Sequence, residues 1–172
     1  MAGAEIIALE PLSLAHVADL DELVADPETL RFTRIPSPVP PGFSRTWIGV
    51  YDEGRRDGTK EGFAIVEDGV FVGIAVVPRI DRTARTAELG YTTVPAARGR
   101  GVATAALRLL TDWAFTELDA LRLELMIGVE NAASQKVAER GGYTHEGTLR
   151  SLYVKPGVRE DTQIWSRLAG DP

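Results

Sequence analysis

The glycine-containing turn at residues 98–101 constrains the fold of this chain more than any other feature. It stands inside the stretch VPAARGRGVATAALRLL (residues 94–110), where a strand-like segment ends and an apolar helical segment begins. A helix that starts near Gly101 leaves its first backbone N–H groups without partners and carries a partial positive charge at that end. The two glycines let the backbone approach a bulky anion, and the two arginines add formal charge nearby. The pattern predicts a phosphate-binding cradle, although a plain strand-to-helix connection also explains it.

Other phosphate-binding motifs fit this stretch poorly. The run GRGVAT (residues 99–104) lacks the third glycine of the dinucleotide fingerprint, and no acidic residue ends the following strand in the usual place. No Gly-Lys-Ser/Thr stands in the chain for a P-loop. A short RGRG sequence is also too little to indicate RNA binding. The cradle, if it binds phosphate, therefore belongs to another class.

The surrounding pattern predicts an α/β fold with about seven strands and about four helices. Residues 85–94, the helix after the turn and residues 121–129 have the length of a right-handed crossover between parallel strands. Within residues 62–77, Asp68-Gly69 is a hairpin turn between two apolar strands. Further strands are expected at residues 5–12, 143–154 and 160–168, and further helices at residues 12–26, 44–56 and 132–140. We expect an α/β sandwich on a mostly antiparallel sheet, folded as one domain over residues 1–172.

Local signals mark the ends of these elements. Ser13 is a natural cap for the first helix, and Gly141-Gly142 stops the last one. Four prolines at residues 31–43 predict a long irregular loop, of a kind that is often functional. In the helix after the turn, the residues expected to face the core are Val102, Ala106, Leu109, Leu110 and Trp113.

The composition argues against several classes of protein. The net charge is −6 and the basic residues are scattered, which is not typical of nucleic-acid binding. The chain has no cysteine and only two histidines, His16 and His145, so disulfides, a cysteine nucleophile and a metal site are not expected. The amino terminus does not resemble a signal peptide, and no apolar stretch approaches the roughly 20 residues that span a bilayer. We expect a cytoplasmic protein that binds neither nucleic acid nor membranes.

The turn and its surroundings resemble the GNAT superfamily of N-acetyltransferases. Arg98-Gly99-Arg100-Gly101-Val102-Ala103 is similar to the acyl-CoA signature Gln/Arg-x-x-Gly-x-Gly/Ala of that superfamily, in its usual place between strand and helix. AELGYTTVPAARGRGVATAALRLL and LRLELMIGVENAASQKVAERGGYTHEGTLR are similar to the RimJ/RimL-type branch, which acetylates protein amino termini and other amines. The resemblance runs from about residue 9 to residue 168 and implies the GNAT fold, with two central parallel strands splayed apart.

The resemblance also implies where acetyl-CoA binds. The pyrophosphate would contact the backbone amides of the turn, with Thr104 just beyond it. The pantetheine arm would pair with open backbone near residues 91–94, a form of strand addition. The cofactor-binding residues implied in this way are Tyr91, Thr92, Thr93, Val94, Arg98, Gly99, Arg100, Gly101, Val102, Ala103, Thr104, Asn131, Ala133 and Ser134.

The segment that begins at Asn131 carries the second motif. Asn131 is the only asparagine in the chain, and a helix cap explains it without any ligand. The resemblance gives it a contact to the pantetheine arm as well, and both roles can coexist. The resemblance makes the Ser134 hydroxyl the hydrogen-bond donor to the departing CoA sulfur.

Without a cysteine, direct attack of the amine on the thioester in a ternary complex is the simplest route. Glu88 is the first choice for the general base, because it lies on the strand leading to the cradle, but it could instead hold loop amides or an arginine. A backbone N–H near Val94 is the candidate donor to the oxyanion. The tyrosine acid of many superfamily members is replaced here by Ala138, so either Ser134 acts instead or no acid is needed. Tyr153 is a possible acid, since its ordinary pKa near 10 makes it a poor base.

The acceptor is less clearly marked. The proline-rich loop and the helix with Trp47 and Tyr51 are expected to wall its cleft, although Phe32, Phe43 and Trp47 could be ordinary core. Glu124 and Glu130 are reserve candidates for binding an ammonium group, and Tyr143 is expected to pack in the core. The predicted function is acetyl transfer from acetyl-CoA to a primary amine of a peptide amino terminus or a small molecule. The alternative is a non-catalytic acyl-CoA sensor or scaffold, and a homodimer stays open.

Overall fold

The strands form one seven-stranded sheet with a single parallel pair at its centre. The computed structural model describes residues 6–172, so the predicted strand start at Glu5 lies outside the described residues. The strands are β1 (Ile7–Pro11), β2 (Glu61–Glu67), β3 (Val70–Asp81), β4 (Thr86–Thr93), β5 (Arg122–Gly128), β6 (Thr144–Lys155) and β7 (Val158–Leu168). Their order is β1-β2-β3-β4-β5-β7-β6, and only β4 and β5 run parallel. The mostly antiparallel sheet and the crossover are therefore confirmed.

Five α-helices flank the sheet in the described part of the chain, one more than expected. They are α1 (Val17–Ala25), α2 (Pro27–Phe32), α3 (Phe43–Asp57), α4 (Val102–Glu117) and α5 (Ala132–Arg140). The short α2 was missed, although Asp26 caps it by accepting a 2.8 Å hydrogen bond from the Thr29 amide. Ser13 precedes a 3₁₀ turn at Leu14–His16 that leads into α1. The irregular loop therefore begins at Thr33, after α2.

The sheet separates two apolar layers. On one face, α4 and α5 pack over β2 to β5, with Leu107, Leu110 and Leu123 fully buried. On the other face, α1 and α3 contribute Leu20 and Ile48 to a second cluster. β2 serves both layers because successive side chains of a strand point to opposite faces. The helices are thus fixed on the two sides of the parallel pair.

The buried face of α4 differs from the one expected. Leu109 is 39% exposed, whereas Leu107 and Leu110 are fully buried. The face is rotated toward Leu107 and Thr111 because α4 packs against both the sheet and α5. The prediction for Leu109 was wrong, and Trp113 is only partly buried against Phe63.

The parallel pair separates partway along its length. β4 and β5 are paired from Thr86 and Arg122 only as far as Leu89 and Leu125. Beyond that point β4 continues to Thr93 and β5 to Gly128 without pairing to each other. At the same level β3 has a bulge, in which Val77 and Pro78 lie opposite Leu89, and such bulges bend and twist a strand. The splayed parallel strands that the resemblance implied are therefore present.

Candidate active site

Two cavities meet where β4 and β5 separate. One, of about 320 Å³, lies at the start of α4, and the other, of about 280 Å³, lies beneath the proline-rich loop and α3. The residues that line both are Phe32, Thr33, Tyr91, Thr92, Asn131 and Ser134. We call the first the cradle cavity and the second the acceptor cavity. The gap in the sheet joins them, so two ligands could meet there.

The start of α4 has the geometry of an anion-binding site. Gly99 and Gly101 have φ values of 72° and 89°, and an added Cβ at either position would meet no atom within 4 Å. The first amide of the helix that donates to a backbone carbonyl is that of Ala105, to Gly101 O at 3.0 Å. The amides of Val102, Ala103 and Thr104 precede it and have no acceptor within the helix. They line the cradle cavity together with both glycines.

The positive charge of the cradle comes from residues that the sequence analysis missed. Arg98 forms ion pairs with Asp26 and Glu28, and its guanidinium lowers the pKa of the Asp26 carboxyl. Arg100 pairs with Glu67 at 2.8 Å and does not line the cavity. By contrast, Lys136 and Arg140 line it and form no ion pair with any residue in the described range 6–172.

Lys136 and Arg140 lie one turn apart on α5. Their spacing of four residues on the helix that follows Asn131 was the signal available in the sequence. The charges of Arg98 and Arg100, which the sequence assigned to the cradle, are balanced by carboxylates. Arg98 instead ties the turn to the start of α2.

The backbone of β4 is open toward the gap at alternate residues only. The Val94 amide donates to Val72 O at 2.9 Å, so Val94 faces β3. Because an antiparallel ladder alternates, Thr92 also faces β3, while Tyr91 and Thr93 direct their backbone groups toward the gap. The Val94 amide itself already has a partner, so the donor to an oxyanion that was expected near Val94 would have to be another amide of this strand. Val94 also lines neither cavity.

Asn131, Ser134 and Tyr91 form a hydrogen-bonded cluster at the junction of the cavities. The Asn131 side chain caps α5 by accepting from the Ser134 amide at 3.1 Å, so the capping role is observed. The hydroxyls of Ser134 and Tyr91 are 2.8 Å apart. Burial raises the pKa of Tyr91 to about 12, so its hydroxyl keeps its proton at neutral pH. Ala133 lines the cradle cavity beside this cluster.

Glu88 is buried in the acceptor cavity and held by two arginines. It is 8% exposed, and its carboxylate lies 2.9 Å from Arg34 Nη1 and 3.8 Å from Arg79 Nε. Arg34 comes from the proline-rich loop and is 62% exposed, so its side chain has room to move. Glu88 therefore does hold an arginine, which was the alternative to its role as a base. Its carboxylate nevertheless lines the cavity.

Tyr153 also lines the acceptor cavity. Its hydroxyl donates to Thr33 O at 2.5 Å. Burial raises its pKa above the ordinary value, so the hydroxyl remains protonated at neutral pH. To act as an acid it would have to leave the Thr33 carbonyl.

Three other residues weighed for the site are occupied elsewhere. Glu124 pairs with Arg79 and Arg122, at 3.1 and 2.8 Å, and Glu130 pairs with Arg31. Neither glutamate lines the acceptor cavity. Tyr143 is buried with its hydroxyl 2.8 Å from Thr111 Oγ1, so its predicted place in the core is confirmed.

Aromatic side chains wall the acceptor cavity. Phe43, Trp47 and Tyr51 follow one another along α3, with ring centroids 6.5 Å apart for the first pair and 4.4 Å for the second. These residues and Phe32 line the cavity, as expected for a cleft wall. Phe43 and Trp47 also pack on the second apolar cluster. A further carboxylate that the sequence analysis did not consider, Glu160 of β7, lines the same cavity.

Neither a metal-binding cluster nor a membrane-spanning helix is present within residues 6–172. Within that range, no group of three or more His, Cys, Asp or Glu side chains is arranged to hold a metal ion. None of the helices described has the length and apolar character needed to cross a membrane.

Comparison with known proteins places these features in context. The model of the acetyltransferase (GNAT) domain family matches residues 7–144. A Bacillus subtilis (strain 168) protein named "Putative ribosomal N-acetyltransferase YdaF" is 36% identical over 105 residues, which are 60% of this chain and 57% of the relative. The chain therefore matches less than two thirds of the length of that relative.

Two solved structures share the fold over almost the whole chain. Mycobacterium smegmatis RimJ in complex with CoA-disulfide is 25% identical, with a TM-score of 0.85, over 95% of this chain and 82% of that one. Spermidine N-acetyltransferase from Vibrio cholerae in complex with CoA and spermine is 19% identical, with a TM-score of 0.84, over 96% of both chains. At that identity the second likeness concerns the fold alone.

Proposed function

Because this chain belongs to the GNAT acetyltransferase family, we propose that it transfers an acetyl group from acetyl-CoA to the primary amine of a peptide amino terminus or a small molecule. The observation that carries the proposal is the gap beyond Leu89 and Leu125. It has an open helix N-terminus on one side and an aromatic-walled cavity on the other. A donor and an acceptor could therefore meet within the sheet.

The residues of the cradle cavity suit acetyl-CoA. The free amides at the start of α4 would hold the pyrophosphate, and Lys136 and Arg140 would supply formal positive charge. The backbone of Tyr91 and Thr93 would pair with the amides of the pantetheine arm, and Asn131 and Ser134 lie at the end of that path. Acetyl-CoA brings an activated thioester to this point.

The reaction is proposed to occur at the junction of the cavities. The amine nitrogen attacks the thioester carbonyl, an N–C bond forms and the C–S bond breaks. Glu88 takes the proton from the amine, and the Ser134 hydroxyl donates a hydrogen bond to the sulfur, which departs as the thiolate. The Tyr91 hydroxyl, 2.8 Å from Ser134 Oγ, would orient that donor. The Tyr91 amide, which faces the gap, is the candidate donor to the developing oxyanion.

Arg34 determines whether Glu88 can act. In the structure its guanidinium occupies the place beside the carboxylate that an incoming amine would need. Because Arg34 is on an exposed loop, we propose that the acceptor displaces it. Tyr153 remains a second candidate acid beside the acceptor.

A non-catalytic acyl-CoA sensor is the alternative function. Two observations favour it: both arginines hold Glu88, and the tyrosine acid of many relatives is replaced by the buried Ala138. A sensor would need the cradle but not a free base.

One experiment separates the two functions. Acetyl-CoA, but not NAD or ATP, should raise the melting temperature of the protein, and a panel of amines should release free CoA thiol. Stabilisation without thiol release for any amine would favour the sensor. Failure of acetyl-CoA to stabilise the protein would refute both functions.

Three further expectations belong to this proposal. The single sheet of the described residues supports one domain over residues 1–172. Because acetyl-CoA is a metabolite of the cytoplasm, the proposed enzyme acts there. We also propose that the protein can form a homodimer. Two relatives, the putative ribosomal N-acetyltransferase of Bacillus subtilis and a spermidine N(1)-acetyltransferase of Escherichia coli, suggest by their names two kinds of acceptor to try first.

A further inference from the structure

The charges that line the acceptor cavity point to the kind of amine it takes. We propose that the acceptor is a primary monoamine on an apolar body, with its ammonium group held by Glu160 on entry, before the amine reaches Glu88. This inference deepens the proposed acetyl transfer and rests on it. It distinguishes one class of acceptor, since a polyamine carries several ammonium groups.

The cavity offers one carboxylate without an arginine partner. Only two carboxylates, Glu88 and Glu160, are among the described residues that line it. Glu88 is balanced by Arg34 and Arg79, whereas Glu160 forms no ion pair with any residue between 6 and 172. Arg31 also lines the cavity, and its charge is balanced by Glu130, which lies outside the cavity lining. One cation can therefore be paired on entry without first displacing an arginine.

Glu160 lies where an acceptor approaching the gap would pass. It is partly buried on β7 and pairs across the ladder with Tyr153. Its Oε2 atom lies 3.6 Å from the place where a side chain on Gly128 would begin. Gly128 is the last residue of β5 and lies beyond Leu125, where the pairing of β5 with β4 ends. The carboxylate thus lies over the end of β5, and the glycine leaves space beside it.

The remaining wall suits an apolar body. Phe43, Trp47 and Tyr51 form a continuous aromatic surface, and Ile35 and Pro36 of the loop line the same cavity. The free energy gained when a cation lies on an aromatic face is small compared with the free-energy cost of burying an ammonium group without a carboxylate. The second and third ammonium groups of a polyamine would meet this wall or the arginines. Polyamines should therefore bind worse than a monoamine with an apolar body.

Equilibrium binding to the coenzyme A-saturated protein tests this without requiring turnover. The probes are 2-phenylethylamine, spermidine and the neutral analogue 2-phenylethanol, measured by calorimetry. We expect 2-phenylethylamine to bind at least about tenfold more tightly than either of the others, as expected for one charge-assisted hydrogen bond. Glu160→Gln should weaken the binding of 2-phenylethylamine by about tenfold or more and leave the binding of 2-phenylethanol unchanged. Glu160→Asp should restore part of the loss, because it keeps the charge.

Glu22→Gln is the matched control, since Glu22 is an exposed residue of α1 that lines neither cavity. It should bind all three probes as the unaltered protein does. Spermidine binding as tightly as 2-phenylethylamine would overturn the inference, and so would unchanged amine binding in Glu160→Gln. If a variant fails to fold, the comparison of 2-phenylethylamine with spermidine on the unaltered protein still tests the inference. If no amine releases thiol, the proposed transfer fails, while these binding data still decide the role of Glu160.

Discussion

Replacing Gly101 with alanine tests the cradle, and Gly42 supplies a matched control. Both glycines are helix N-caps with left-handed backbone, with φ values of 89° and 70°. At neither position would an added Cβ meet an atom within 4 Å. Another residue in this region costs about 1–2 kcal/mol, so each unliganded variant should melt about 2–8 °C lower in a chain of this size. The two variants should therefore lose similar amounts of stability.

Acetyl-CoA should separate the two variants. At a concentration of about 100 times Kd, binding adds about 2.7 kcal/mol to the free energy of unfolding, which raises the melting temperature by about 5–11 °C. Gly42→Ala should keep this increase. In Gly101→Ala, a backbone that relaxes away from positive φ turns the first amides of α4 out of line. If binding weakens about a hundredfold, about 0.4 kcal/mol remains, an increase of about 1–2 °C.

The assay is thermal unfolding followed by circular dichroism, with and without acetyl-CoA at one fixed concentration. The comparison between variants removes the shared cost of backbone strain. An equal response of Gly101→Ala and Gly42→Ala to acetyl-CoA would mean that the pyrophosphate does not bind at the start of α4. The proposed function would then lose its main support.

Three other predictions concern the base, the core and the pH dependence of stability. Glu88→Gln should keep the stabilisation by acetyl-CoA but lower kcat by about a hundredfold or more, and normal turnover would exclude Glu88 as the base. Leu110→Ala should lower the free energy of unfolding in urea by about 2–5 kcal/mol, whereas Leu109→Ala at the exposed neighbour should cost at most about 0.5 kcal/mol; equal losses would contradict the observed face of α4. Arg122 is the main cause that lowers the pKa of Glu146 from 4.5 to about 2. Because its pKa is lower in the folded protein, the Glu146 carboxylate stabilises the fold at pH values above its unfolded pKa, and this stabilisation is lost as the pH falls toward the folded pKa. Glu146→Gln should therefore cost about 1 kcal/mol near neutral pH after screening and nothing near pH 2. If urea unfolding showed that the loss of stability in Glu146→Gln does not change with pH, the loss would not come from the ion pair with Arg122.

Local chemistry was enough to place many of the elements. The helix at residues 132–140 was predicted with its observed bounds, because Asn131 and the Gly141-Gly142 pair mark its ends. Asp68 and Gly69 both have positive φ in the observed hairpin turn, as the Asp-Gly sequence indicated. Such signals act over a few residues, so no knowledge of the tertiary structure is needed to use them. The six-residue α2 was missed because it is too short to show a periodic pattern.

The site was predicted less completely than the fold. Gly99, Gly101, Asn131 and Ser134 do line the cradle cavity that the turn suggested. The sequence could not indicate that Val94 faces β3, because that depends on which residue of β3 lies opposite. Lys136, Arg140 and Glu160 were overlooked because charged residues on a helix or strand are usually solvated.

The sequence by itself determined the phosphate-type turn, the strand–helix–strand crossover and the caps, since these depend on backbone conformation and on spacing within one segment. Only the tertiary structure decided how the charges are shared. Arg98 meets Asp26 across 72 positions of the chain, and Arg34 of the proline-rich loop meets Glu88 of β4. These partners are set by sheet order, register and packing, which bring together residues that no local pattern connects. For the same reason, Glu160 has no arginine partner among residues 6–172.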